Sequence, residues 1–346
     1  MKLFSHRSRW LMASLLAFVV LGLLLPSEGV MRAAAGNVPS ELVLAMIPSR
    51  EPDVLLPDLK PFGDLLGEAL RKRGFDIKSV KAVVLTSEQA TIAALGTGEV
   101  HVAFMGPLSG IRAEQEAGAE IVTASVRFGA LKFKGQLMTR GKESNLANMD
   151  NFVERVKAGE EFVMSYTSPG STSGFLFPCL KLKQKGILPG DFPNLKTFFA
   201  GGHSSSFLAV WNRDADVGWG FDDVREGFRK RPDDTGLAPV DVANGRDEFD
   251  VMQEVKAQVS LIGYTDFVPN DPQVVAGDLD PDLKQAIKEE LVTLSKGDGF
   301  QFINNLVDAT EFVAVTDNGP LTNKDFDVIR QAVTEITPIV AQCSNQ

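Results

Sequence analysis

From residue 41 onward the chain alternates short apolar runs with segments of helical spacing, and this alternation restricts the fold more than any other feature. Residues 41–47 (ELVLAMI) read as a buried strand. Leu59, Phe62, Leu65, Leu66, Ala69 and Leu70 then recur at the interval of one helix face, a run that Gly74 ends. A strand at 77–85, a helix at 87–95 capped by Ser87, a strand at 100–105 and a helix at 108–117 continue the pattern. After a short strand at 136–140 it repeats: helix 148–157, strand 161–166, helix 175–185, strand 197–200, helix 203–211, strand 215–220, helix 223–229 and strand 258–264. Helices at 280–296, 300–305 and 323–336 close the chain. Such alternation predicts an α/β fold with parallel strands.

The length of 346 residues suits two domain-sized units. The last third is mostly helical and needs a sheet to pack on, so the economical arrangement returns the chain to its first unit. Residues 41–136 and 265–335 then form one discontinuous lobe and residues 137–264 the other, with crossings near 136–140 and 259–267.

The N-terminus carries a separate signal. Lys2, Arg7 and Arg9 precede an apolar run at 10–25, broken only by Ser14 and Gly22, and Ala33, Ala34 and Ala35 follow. Basic head, apolar middle and small-residue exit predict an export signal over residues 1–35, with Gly36 as the first mature residue. The competing reading is a membrane anchor, but the run falls short of the roughly 20 residues that a spanning helix needs. No Cys lies in that region, so a cysteine-linked lipid is not expected there. The two cysteines are Cys179 and Cys343. An exported chain can pair them; the plainer expectation is a buried Cys179 and a separate, mobile Cys343.

The formal net charge of −10 argues against a nucleic-acid partner, which would demand a basic face. Arg71-Lys72-Arg73 and Arg229-Lys230-Arg231 are short clusters that suit solvated helix faces.

The chemistry concentrates between a strand that stops at Tyr166 and a helix that begins near Thr172. The first amides of a helix have no internal partner and carry partial positive charge, so an oxyanion set there meets several donors. Ser171, Thr172 and Ser173 can add hydroxyls, while Gly170 and Gly174 let the backbone approach closely. A plain capped turn explains the same residue types, and both readings stand. Gly201-Gly202-His203 opens a second helix in the same way. His203 can donate to an oxyanion or serve structure alone, whereas His101, in an apolar strand, reads as structural. Asp222-Asp223 and Asp271 sit in strand-end loops, where they can meet a cationic part of a ligand, accept the proton of a protonated oxyanion, or cap helices.

These residues, in this order, resemble the PhnD-type phosphonate/phosphite/phosphate-binding proteins of bacterial ATP-driven importers. The likeness spans roughly residues 41–335. It rests on Pro169-Gly170-Ser171-Thr172-Ser173-Gly174-Phe175-Leu176-Phe177-Pro178, on Gly201-Gly202-His203 with Leu208-Ala209-Val210, on the strand end from Val100 to Gly106-Pro107, and on Val268-Pro269-Asn270-Asp271-Pro272. The resemblance implies a two-lobed type II periplasmic-binding-protein fold with a central cleft. It implies an extracytoplasmic, monomeric solute-binding component of an ABC importer, with a small phosphorus oxyanion as ligand, an inner-membrane ABC permease as partner, and no cofactor, metal or catalysis. Ser171, Thr172, Ser173 and His203 would hold the phosphorus oxygens. Asp223 and Asp271 match positions where aminoalkylphosphonate binders carry acids for the amine. One departure concerns the helix after Gly106-Pro107: the family commonly places a Tyr where this chain has Gly110, so Ser109, Ser87 or the Gly110 backbone is expected to replace it. Trp219 and Phe221 are expected to add bulk near the cleft. Two other classes remain: an exported ligand sensor using the same cleft, and a Ser/His hydrolase. The second is disfavoured because Gly170-x-Thr172-x-Gly174 has Thr where a nucleophile elbow has Ser, and because the Asp candidates follow His203.

Overall fold

The computed structural model describes residues 36–47, 52–221, 224–226 and 248–344. The export signal at 1–35, the helix expected at 223–229 apart from residues 224–226, the basic cluster 229–231, Asp222 and Asp223 lie outside the described residues.

Eleven described strands form two sheets. The first half of the chain runs β1 (Glu41–Met46), α1 (Pro52–Lys72), β2 (Ser79–Val84), α2 (Glu88–Gly96), β3 (Val102–Phe104), α3 (Pro107–Ala117), β4 (Glu120–Arg127) and β5 (Lys132–Thr139). The middle runs α4 (Met149–Lys157), β6 (Phe162–Tyr166), α5 (Phe177–Lys185), β7 (Leu195–Phe199), α6 (His203–Trp211), β8 (Val217–Gly220), α7 (Glu248–Gln258) and β9 (Ser260–Pro269). β10 (Pro272–Val275), α8 (Pro281–Lys296), α9 (Phe300–Val307), β11 (Ala309–Ala314) and α10 (Asp327–Ile336) complete it.

The first sheet has the order β11-β4-β10-β3-β1-β2 and the second β7-β6-β8-β5-β9. Parallel pairing holds where the βα alternation is regular, in β2-β1-β3 and β7-β6-β8. The other strands are antiparallel. Three of them, β4, β10 and β11, escape the periodicity reading. The helix expected from Leu59 begins earlier, at Pro52, and runs through Pro57 and Pro61. Burial of Leu55, Leu59, Phe62, Leu66 and Leu70 along one face offsets the amide bonds that the prolines remove. In the first lobe Phe62, Phe104 and Phe312 meet edge to face at 5.5–6.3 Å between ring centres, tying α1, β3 and β11 together.

The chain crosses between sheets at 128–131 and again at Asn270–Asp271, rather than within 136–140 and 259–267. The reason is that β5 and β9 pair along their length in the second sheet, from Thr139 opposite Ser260 to Lys132 opposite Pro269. Residues 132–136 and 265–269 therefore go with the second lobe. Asn270 clips the two crossings together. Its Nδ2 donates to the Ser125 carbonyl at 3.0 Å and the Ala130 carbonyl at 2.7 Å, and its backbone N–H donates to Leu131 at 2.9 Å.

The cysteines are paired, which corrects the expectation of a separate Cys343. The Cys179–Cys343 disulfide joins Cα atoms 5.4 Å apart across 164 residues. Sequence could not bring them together because the C-terminal segment leaves the first lobe. Helix α10 reaches α3 through an Arg330–Glu114 ion pair at 2.5 Å. The last turn, Thr337–Gln342, then ends against α5. Closing so long a loop restricts the unfolded chain strongly. Cys179→Ser with Cys343→Ser, or reduction of the native protein, is therefore expected to cost about 2–4 kcal/mol of stability. Calorimetry with and without reductant measures it, and an unchanged melting temperature would contradict the pairing.

Candidate functional site

The loop after β6 and the start of α5 build the first wall. Residues 172–176 form one π-type turn that leads into α5, with Ser171 as its cap. The Ser171 Oγ accepts from the Gly174 N–H at 3.0 Å, and the Leu176 N–H reaches back to the Ser171 carbonyl at 3.0 Å. The turn is possible because residue 174 is glycine: a Cβ there would collide with the Thr167 side chain. Thr172 and Ser173 are buried in this turn.

Opposite stands the N-terminus of α3 in the first lobe. Its opening residues are Gly106 as cap and Pro107, and the next amide, Leu108 N–H, donates to the Thr172 Oγ1 at 2.8 Å. Two helix starts from different lobes thus meet through one hydroxyl. Across the mouth the Ser168 hydroxyl donates to the Glu88 carboxylate at 3.4 Å.

The second-lobe wall is completed by α6. Gly202 precedes His203, whose Nε2 lies 3.4 Å from the Ser171 Oγ. The backbone N–H of Phe221 donates to His203 Nδ1 at 3.1 Å. An Nδ1 that accepts leaves the proton of the neutral ring on Nε2, which therefore faces the Ser171 cap as a donor. Burial, aided by the positive charge of Arg127, pushes the His203 pKa down to about 4. The imidazole is thus a neutral donor near pH 7.

Residues 171–173 and His203 come together as expected. Asp271 lies on the second crossing, partly buried, with Oδ2 3.6 Å from Arg127 Nη1. Desolvation raises its pKa, Arg127 lowers it and Asp308 raises it again. Its charge is already matched by a guanidinium, which weakens the expectation that it receives a ligand amine. Asp223 lies outside the described residues. Ser109 is buried beside the Leu108 amide. The Gly110 N–H is spent on the Gly106 carbonyl at 2.8 Å, so it is not available as a ligand donor. Gly110 serves packing instead: a Cβ would come within 2.6 Å of the Pro272 ring. Ser87 caps α2 by accepting from the Ala90 N–H. Trp219 does not add bulk to the cleft, since it is fully buried with its indole N–H on the Met164 sulfur. His101 is structural, its Nδ1 accepting the Val43 N–H at 2.9 Å.

Arg127 is the group that the pattern reading missed. It ends β4, a strand whose alternation is masked because both faces are covered.

The histidine shift has a sign that can be tested. The folded chain disfavours protonated His203, so its contribution is complete above the ordinary value of 6.5 and is lost as pH falls toward about 4. His101, also lowered by burial, acts in the same direction, and Asp271 in the opposite one. Wild type is expected to lose melting temperature relative to His203→Asn across that window. A difference independent of pH would contradict the assignment.

Comparison with known proteins bears on the family and the fold. The family described as the periplasmic phosphonate substrate-binding protein of ABC transporters matches residues 44–319. The phosphate-import protein PhnD of Mycolicibacterium smegmatis is 29% identical over 197 residues, covering 54% of this chain. A probable ABC transporter phosphite-binding protein, PhnD1 of Prochlorococcus marinus, is 27% identical over 180 residues, covering 52% of this chain. The aligned regions span only 57% and 58% of those two relatives. The solved structure of Prochlorococcus marinus PhnD1 in complex with methylphosphonate superposes with a TM-score of 0.67 at 21% identity, covering 87% of this chain and 100% of that one. That likeness establishes the two-lobed fold. With the family match running from the first strand to beyond the last, the chain belongs to the phosphonate-binding periplasmic substrate-binding proteins of ABC transporters.

Proposed function

We propose that this chain is the extracytoplasmic component of an ABC importer that captures phosphonate, phosphite or phosphate and presents it to an inner-membrane permease. The observation that carries the reading is the meeting of two helix starts from separate lobes through Leu108 N–H and Thr172 Oγ1. Each start offers amides without internal partners and partial positive charge. A small oxyanion entering there exchanges its water for the backbone amides of Thr172 and Ser173, the hydroxyls of Ser171, Thr172 and Ser173, and His203 Nε2–H. The partial positive charge of the first-lobe α3 start, brought against this second-lobe set in the closed form, gives the ligand better contact there than in an open form. A single chain supplies both walls, so a monomer suffices.

The same histidine geometry speaks against hydrolysis. A base for Ser171 would need a free Nε2 lone pair, with Nδ1–H donating to an acid. Here Nδ1 accepts from the Phe221 amide, so Nε2 holds the proton. The chain acts by holding its ligand, without turnover.

Ser171→Ala combined with Thr172→Val removes two hydroxyls while keeping most of the volume. Each lost hydrogen bond to a charged oxygen is expected to cost about 1.5–3 kcal/mol of affinity. Titration calorimetry with inorganic phosphate, phosphite and methylphosphonate measures it. Equal affinity in both proteins would refute the site. Binding to none of the three by wild type would refute the ligand class.

A further inference from the structure

One charged group in the cleft has no part in the oxyanion contacts described so far. Arg127 is the last residue of β4, and its side chain is 10% exposed. Its backbone is held firmly. Arg127 and Ala130 exchange both main-chain hydrogen bonds, at 3.0 and 2.9 Å, around a two-residue turn of Phe128 and Gly129. Their φ angles are +51° and +74°, a region that L side chains such as phenylalanine resist. The turn is also pinned by Asn270, which donates to the Ala130 carbonyl.

The guanidinium on this fixed stem is poorly satisfied. It has five N–H donors in a planar fork. Nε is buried with no hydrogen-bond partner among the described residues. Nη1 stands 3.6 Å from Asp271 Oδ2 and Nη2 stands 3.7 Å from Asp308 Oδ2, attracted to both but beyond hydrogen-bond reach. A buried guanidinium normally takes direct, often bidentate bonds. The group also crosses the cleft. Its central carbon lies 5.3 Å from the centre of the Phe221 ring, and Phe221 packs 4.8 Å from the His203 ring. A first-lobe cation thus stands beside the second-lobe histidine, although the expected first-lobe donors, Ser109 and Gly110, lie on α3 and not on β4.

We propose that Arg127 is a specificity-determining residue of the cleft, whose fork takes oxygens of a fully ionised phosphorus oxyanion and disfavours ligands carrying an ammonium group. The planar fork can hold two oxygens of a tetrahedral phosphoryl group at once, which a lysine ammonium does less well. An ammonium beside it would meet a like charge, and Asp271, one of the two acids expected to receive that ammonium, stands 3.6 Å from the guanidinium itself. The ligand class is therefore phosphate or a simple alkylphosphonate rather than an aminoalkylphosphonate. This inference rests on the proposed oxyanion function.

The test is calorimetric titration of inorganic phosphate, methylphosphonate and 2-aminoethylphosphonate into wild type, Arg127→Gln and Arg127→Lys, with a melting curve for each protein. Wild type is expected to prefer the first two ligands over the third by about tenfold or more. Arg127→Gln should weaken phosphate and methylphosphonate by about tenfold or more, the scale of one lost charge-assisted bond, and should narrow the gap to 2-aminoethylphosphonate. Arg127→Lys, which keeps the charge and loses the fork, should fall between. If Arg127→Gln does not fold, an Arg127→Lys protein with unaltered affinities overturns the inference. A wild-type preference for 2-aminoethylphosphonate, or an equal effect of Arg127→Gln on all three ligands, overturns it and leaves the oxyanion function standing. Failure of wild type to bind any of the three removes that function and this inference together.

Discussion

The clip at Asn270 is the contact on which the arrangement turns. One amide side chain spans the two places where the chain passes between sheets, bonding the Ser125 and Ala130 carbonyls while its backbone bonds Leu131. Ser125 is fully buried, so losing the clip would leave its carbonyl short of a donor that water cannot replace. The spacing of the crossings also positions what flanks them. Arg127 precedes the first crossing and Asp271 ends the second, so their 3.6 Å approach follows from how the backbones are held. A hinge region in this molecule is thereby also a wall of its cleft.

On the proposed reading, an acidic chain that binds an anion has to solve an electrostatic problem locally. With a net charge of −10, the long-range field offers no attraction. The cleft answers with fixed dipoles: helix-start amides, hydroxyls locked by capping bonds, and an imidazole kept neutral with its proton directed inward. Such donors lose little on binding because they are already oriented. Serine at 171 illustrates the economy. Its oxygen accepts from the Gly174 N–H and faces the His203 Nε2–H, which leaves its own hydroxyl proton free to donate and makes one residue both cap and lining.

Much of this was legible in the sequence. The glycine-flanked hydroxyl turn at 170–174 and the Gly202-His203 helix start announce themselves because helix starts require particular residue types. The regular βα alternation yielded the parallel cores of both sheets for the same reason. The missed parts share a cause. β4, β10 and β11 are antiparallel additions with no accompanying helix, and β4 is buried along most of its length, so no alternation marks it. Arg127 was missed with its strand. The crossings were misplaced because β5 and β9 lengthen each other by pairing, a tertiary effect that neither segment shows alone. The disulfide was unreadable because its partners meet only after the C-terminal segment passes from one lobe to the other.

That passage also governs how the molecule can move. Two adjacent tethers, clipped side by side, would let the lobes both bend and twist about each other. The C-terminal segment adds a third connection away from that pair, with Arg330 held by Glu114 at one end and a covalent bond to α5 at the other. A third connection, covalent at one end, narrows the set of relative movements that two clipped strands alone would allow. Any opening of the cleft has to leave the covalent bond and both backbone crossings intact together, so the chain's last turn takes part in the movement of both lobes.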